Sequence, residues 1–134
     1  GGRLIKPSLT VNDDPVVQDR LPLTDKQREM ILEAMVDTVQ EGTARVLQRK
    51  DARIGGKTGT AQVVRLKASE AEKRRKLEEM EYWERDHAWI ATFGQKGDRS
   101  YVVVCMVEHG GHGGSTAGPV VKAVYDYLFG ERTS

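Results

Sequence analysis

Gly55-Gly56-Lys57-Thr58-Gly59-Thr60-Ala61-Gln62 decides how the rest of the chain is read. Val63-Val64 follows it, and an apolar β-branched pair after glycines predicts a strand, not a helix. Side chains alternate between the faces of a strand, so Thr58 and Thr60 share a face. Gly59 between them carries no side chain, so a substrate backbone can lie against the strand. Lys57 is expected to bring a positive charge to the same place. A cation beside two hydroxyls suits a carboxylate.

Two plainer readings of the stretch compete with a carboxylate site. Gly56-Lys57-Thr58 matches the end of the phosphate-binding pattern G-x-x-x-x-G-K-[ST]. That pattern needs a glycine at position 51, where Asp51 stands, and a helix after the lysine. The other is a glycine-rich turn entering a strand, with a solvated lysine.

The chain has 134 residues, 38% hydrophobic and 31% charged, with a net charge of +1. That length holds one domain with a core. The charge balance argues against a nucleic-acid partner. No apolar run approaches the ~18 residues of a membrane span, and a signal peptide is not expected in these residues. Cys105, the one cysteine, sits in the apolar run Tyr101–Val107 and is expected to be a small buried hydrophobe.

Residues 1–22 hold two prolines by position 15 and a third at Pro22, and read as an irregular lead-in. Leu23 to Glu41 reads as a helix, with Thr24 and Gln27 spaced as a capping box. Its expected core stripe is Met30, Ile31, Ala34, Met35, Thr38 and Val39. Gly42 is placed to end it. The run to Asp51 reads as loop or a helical turn, and Ala52 to Leu66 as the lysine strand. Residues 67–85 mix both charge signs, with Ser69 and Glu72 as a second possible capping box. They read as a helical insertion, either a solvated excursion or a partner-binding flap. Asp86–Gly94 alternates as a strand, Gln95–Arg99 is a hairpin turn, and Ser100–Val107 is an apolar strand expected to be central and covered on both faces. Glu108–Gly114 reads as a flexible loop. Its Glu108, His109 and His112 are not expected to hold a metal, since glycines give no rigid support. Ser115 or Thr116 can cap a last helix, with Pro119 in its first turn and Val120, Val121, Val124, Tyr125 and Leu128 as its apolar stripe. The fold class is α+β: a three-stranded antiparallel meander with covering helices.

Gly56-Lys57-Thr58-Gly59-Thr60-Ala61-Gln62 resembles the Lys-Thr-Gly element of the penicillin-recognising serine enzymes, in the form found in class B penicillin-binding proteins. Gly42-Thr43-Ala44 resembles the segment before that strand. Asp86-His87-Ala88-Trp89, Val107-Glu108-His109-Gly110-Gly111 and Ala117-Gly118-Pro119-Val120 are similar to the elongation-type members. The resemblance implies the C-terminal part of one transpeptidase domain, of β-lactamase/transpeptidase-like fold, spanning residues 1–134. It implies a peptidoglycan D,D-transpeptidase that cross-links stem peptides through a serine acyl-enzyme and binds β-lactams. In that mechanism Lys57 serves the proton network and the positive field. Thr58 and Thr60 hydroxyls hold the substrate carboxylate along Gly59, and the Thr60 backbone N–H is an oxyanion donor. No cofactor is implied. The implied partners are the stem peptide, β-lactams and the cell-elongation machinery. The implied location is the extracytoplasmic face of the inner membrane, with an N-terminal anchor outside this chain.

The family's nucleophile motif, Ser-x-x-Lys, does not occur in these residues, and neither does Ser-x-Asn. The expectation is a fragment that carries the substrate-binding strand without the nucleophile and is inactive alone. Its uncharged 100–107 strand is expected to join two copies at an open edge. The alternatives are a serine β-lactamase or β-lactam sensor fragment, or a non-catalytic interaction domain.

Overall fold

The computed structural model describes residues 2–10, 14–63 and 80–130. Much of the charged 67–85 insertion, including Ser69, Glu72 and Leu77, lies outside them. The chain divides into two units, residues 1–34 and 35–134.

In the first unit two short stretches of the lead-in form strands rather than irregular chain. β1 (Arg3–Ile5) and β2 (Val17–Arg20) pair antiparallel, with Arg3 opposite Arg20 and an irregularity between Leu4 and Ile5. Pro7 and Pro15 flank the pairing rather than prevent it, because neither stands inside a strand. α1 (Asp25–Gln40) begins in this unit. The capping box forms: the Gln27 amide donates to Thr24 Oγ1 at 3.2 Å, and the Thr24 amide donates to Gln27 Oε1 at 2.9 Å. Met30 and Ile31 are exposed, against expectation.

In the second unit, Val36 and Val39 are the buried residues of α1. α1 ends at Gln40, two residues before Gly42, and a short 3₁₀ turn, Arg45–Leu47, follows. β3 (Arg53–Ala61), β4 (His87–Lys96) and β5 (Arg99–Val107) form an antiparallel sheet in the order β3-β4-β5. β3 ends at Ala61, short of the expected Leu66. The β4–β5 hairpin turns at Gly97-Asp98, where Gly97 has φ +60°, a value that glycine adopts freely. α2 (Gly118–Phe129) follows a five-residue π-helical turn, Gly113–Ala117.

The core lies on one face of this sheet. Ala88, Ile90 and Thr92 of β4 are buried with Ala44, Leu47, Val121, Tyr125 and Phe129. Tyr125 stacks on Phe129 at 5.4 Å. Thr92 is the buried polar residue of that face: its hydroxyl donates to the Val103 carbonyl at 2.8 Å and accepts from the Tyr125 hydroxyl at 2.9 Å. Burial pushes the Tyr125 phenol up, and the Thr92 hydrogen bond partly opposes this. Lys96 and Arg99 donate to the Phe129 and Leu128 carbonyls, placing cations at the negative end of α2.

Four expectations are corrected here. The apolar β5 strand is not central: β4 is, and Val102 and Val104 on β5 are 78% and 56% exposed. A continuous apolar run marks burial on both faces only when both faces have neighbours, and α2 covers one. The α2 stripe is also rotated. Val121, Tyr125 and Phe129 face the core, whereas Val120 and Val124 are exposed. No side chain caps α2, because the π-helical turn runs straight into it. Cys105 is half-buried rather than buried.

Candidate functional site

β3 is a terminal strand of its sheet among the described residues, so its outer backbone edge is open there. Lys57 and Thr60 are exposed, and Thr58 and Gly59 half-exposed. Register pairs Lys57 with Ala91, Thr58 with Ile90, Gly59 with Trp89 and Thr60 with Ala88. Thr58 and Thr60 therefore lie on the core side of the sheet, and Lys57 lies on the other face. Lys57 and the two hydroxyls do not share a face. The lysine Nζ donates to the Thr58 backbone carbonyl at 2.7 Å.

Thr58 is already engaged. Its hydroxyl lies 2.7 Å from the Thr43 hydroxyl, just before the 3₁₀ turn. Thr43 lies in Gly42-Thr43-Ala44, a stretch whose resemblance to the family carries no role for that residue. Two hydroxyls in contact use one proton and one lone pair between them, so one proton and three lone pairs stay available for a third group.

The loop after β5 is bound to this site rather than flexible. A Cβ on Gly113 would stand 2.0 Å from the Trp89 carbonyl oxygen and 2.8 Å from that of Gly59. One on Gly114 would stand 2.1 Å from the Thr43 carbonyl oxygen. The glycines thus let the turn lie directly on Gly59 and Thr43. Upstream, the Gly110 amide donates to Val107 O, the Gly111 amide to Asp86 O, and the Thr116 hydroxyl to Gly110 O at 2.8 Å. The His109 ring meets Trp83 and His87 edge-on and Tyr82 at a tilt, with centroids 4.8 to 5.6 Å apart. Among the described residues, no group of three or more His, Cys, Asp or Glu side chains is placed to hold a metal ion.

At the far end of β3 a cleft of about 750 Å³ is lined by Val36, Val39, Gln40, Arg49, Ile54 and Lys96, among others. It lies beside Arg53-Ile54, at the opposite end of β3 from Thr60. Arg49 pairs with Asp51 and Asp126, and Lys96 with Asp51 at 2.7 Å. These cations hold the Asp51 carboxyl well below the usual carboxylate range. This cluster ties the start of β3 to the end of β4 and to α2.

A strand edge with Lys57, two threonines and a bare Gly59 is what the Lys-Thr-Gly resemblance requires of this stretch, and the family comparison agrees. Residues 1–126 match the family described as the penicillin binding protein transpeptidase domain. The chain belongs to that family. It is similar to the peptidoglycan D,D-transpeptidase MrdA of Acinetobacter baumannii, 32% identical over 118 residues, which cover 88% of this chain and 17% of the relative. The Haemophilus influenzae MrdA is 35% identical over 80 residues, 60% of this chain and 12% of the relative. Among solved structures, Pseudomonas aeruginosa PBP2 in complex with WCK 5153 superposes with a TM-score of 0.55 at 29% identity, over 92% of this chain and 23% of that one. Helicobacter pylori PBP2, solved in a complex with MreC, gives 0.55 at 26% identity over 87% and 21%. The chain thus spans less than a quarter of the length of each of these relatives. The α+β class and the three-stranded antiparallel sheet expected from the sequence stand.

Proposed function

We propose that this transpeptidase segment supplies the substrate-binding strand of a peptidoglycan D,D-transpeptidase of the elongation type. In this reading β3 offers its open edge to the D-Ala-D-Ala end of a stem peptide, or to a β-lactam. The Lys57 ammonium sets a positive field at the level of Thr58. The Thr60 hydroxyl and the free hydroxyl capacity of the Thr43–Thr58 pair grip the carboxylate. The Thr60 backbone N–H is an oxyanion donor, a group whose removal costs ~3 kcal/mol in comparable sites. The acylated serine and its lysine come from residues outside this chain, since no Ser-x-x-Lys occurs within it.

The observation that carries the reading is Gly59. Among the described residues, a Cβ there would meet only Trp89 Cβ, at 3.5 Å, an ordinary contact. Internal packing does not demand a glycine at this place, so its bareness serves whatever approaches from outside. Fluorescent penicillin and a denaturing gel test the reading. A longer protein containing this chain should be labelled covalently and the 134-residue chain alone should not. Labelling of the chain alone, or none of the longer protein, would refute it.

The same proposal places the complete protein at the extracytoplasmic face of the inner membrane with the elongation machinery. Among the described residues, no helix is long and apolar enough to cross a membrane. It also gives the isolated chain a homodimer through the uncharged 100–107 edge, because unprotected edge strands pair. Light scattering at micromolar concentration should return twice the chain mass, and a monomer would exclude the dimer.

A further inference from the structure

We infer that His87 is a positioning residue for the substrate-binding strand: its bare Nδ1 latches the loop that rests on Gly59. The inference rests on the transpeptidase reading above for its effect on activity, and on geometry alone for the latch.

The His109 backbone amide donates to His87 Nδ1 at 2.9 Å. A backbone N–H can only donate, so this nitrogen carries no proton and the neutral ring is protonated at Nε2. His109 is the opposite tautomer. Its Nδ1 lies 3.0 Å from the Arg85 carbonyl oxygen, which can only accept, so that nitrogen holds the proton. The Gly111 amide donates to the Asp86 carbonyl at 2.8 Å. Three hydrogen bonds thus fasten residues 109–111 to residues 85–87. Between them His109 is held at φ 53°, a left-handed conformation uncommon for a side-chain-bearing residue. Two residues beyond Gly111 the chain reaches Gly113, against the carbonyls of Gly59 and Trp89, and then Gly114, against that of Thr43. Whatever holds His109 in place therefore holds the floor under Gly59 and Thr58.

The two histidines respond differently to acid. A proton added to His109 enters at Nε2 and leaves its bond to Arg85 intact. A proton added to His87 enters at Nδ1, where it faces the His109 N–H, and the bond is lost. The latch therefore senses the proton on His87 alone. The ionisable groups around it are few among the described residues. The His109 ring is 4.8 Å away, and Tyr82 is a further 4.8 Å beyond it. Arg85 is turned to the Met80 carbonyl, and Asp86 accepts from the Val63 amide at 3.4 Å. Glu84 and Glu108 adjoin in sequence. Ala61 stands opposite His87 on β3, and the nearest charge on that strand is Lys57.

The test follows β-lactam acylation of a transpeptidase containing this chain from about pH 8 to pH 5, the range in which imidazoles titrate. His87→Asn puts an Oδ1 acceptor where Nδ1 was and cannot take up a proton. Wild type should lose about tenfold in rate toward pH 5, the size of one hydrogen bond. His87→Asn should keep the wild-type rate at pH 8 and lose less than about threefold. His87→Leu should be slow at every pH. In parallel, the His109 amide is followed by NMR. Its exchange protection should fall with pH in wild type and persist in His87→Asn. A His87→Asn profile that follows wild type, or a His109 amide equally protected at both ends, overturns the latch. If wild type is not acylated at all, the transpeptidase reading fails, and the amide titration still decides the latch. If His87→Leu does not fold, the asparagine variant and the amide decide it.

Discussion

Gly59 and Gly113 stand against each other in the fold and are used in opposite ways. Gly59 sits in a strand with room for a methyl group, whereas Gly113 sits in a turn where a methyl group would strike two backbone carbonyls. The sequence invites the reverse reading, with a special glycine in the strand and a merely flexible one in the run Gly110–Gly114. The difference teaches that a glycine's purpose lies in what approaches it. At Gly113 the neighbour is the protein's own strand. At Gly59, on the proposal made above, it is a ligand.

The largest expected effect breaks the internal side of this comparison. Gly113→Ala should destabilise the fold by about 3 kcal/mol, the upper part of the range for overpacking, because carbonyls of a paired strand cannot move aside. Urea denaturation measures it, and a loss below about 1 kcal/mol would mean that the turn does not rest on β3. Thr116→Val, which removes the hydroxyl bound to the Gly110 carbonyl, should cost about 1 kcal/mol. A neutral result would show the loop to be free, as first read from its glycines. Gly59→Ala should leave stability within about 0.5 kcal/mol of wild type. If it proved as costly as Gly113→Ala, the two glycines would do the same work.

The smallest effect lies at the far end of β3. Asp51 is paired with Arg49 and Lys96, and its carboxyl is held below its ordinary value. A depressed carboxylate contributes stability that is present above its unfolded-state value and lost as pH falls through the acid range. Wild type should therefore lose stability more steeply than Asp51→Asn below about pH 4, the carboxylate's ordinary range. These side chains are partly exposed, so the difference is small. Parallel acid curves would remove Asp51 from the account.

The elements legible in the sequence were those with local causes. Thr24 and Gln27 announced the start of α1, Gly97-Asp98 the hairpin, and Gly56–Gln62 both the family and the edge strand. The rest depended on long-range neighbours. Tyr101–Val107 looked central because an apolar run carries no record of which neighbours are present. Val120 and Val124 satisfied the helical period as well as Val121 and Phe129 did, and only the docking of α2 chose between them. Lys57 was expected to bring its charge to the same place as the threonines, and the alternation that pairs Thr58 with Thr60 puts it on the opposite face. The His87–His109 latch joins residues 22 apart through a ring nitrogen and a backbone amide. Its sequence trace, two histidines near strand ends, does not specify that pairing.

The central claim is that the β3 edge at Lys57–Thr60 receives the carboxylate of a stem peptide or β-lactam. The most direct test is the second-order rate of penicillin acylation for Lys57→Ala in a transpeptidase containing this chain, with thermal unfolding measured beside it. Lys57 is exposed, and among the described residues the one hydrogen bond of its ammonium is to the neighbouring Thr58 carbonyl. The account predicts a fall of about a hundredfold or more in rate with stability unchanged to about 0.5 kcal/mol. An acylation rate equal to wild type in a folded Lys57→Ala protein would contradict it.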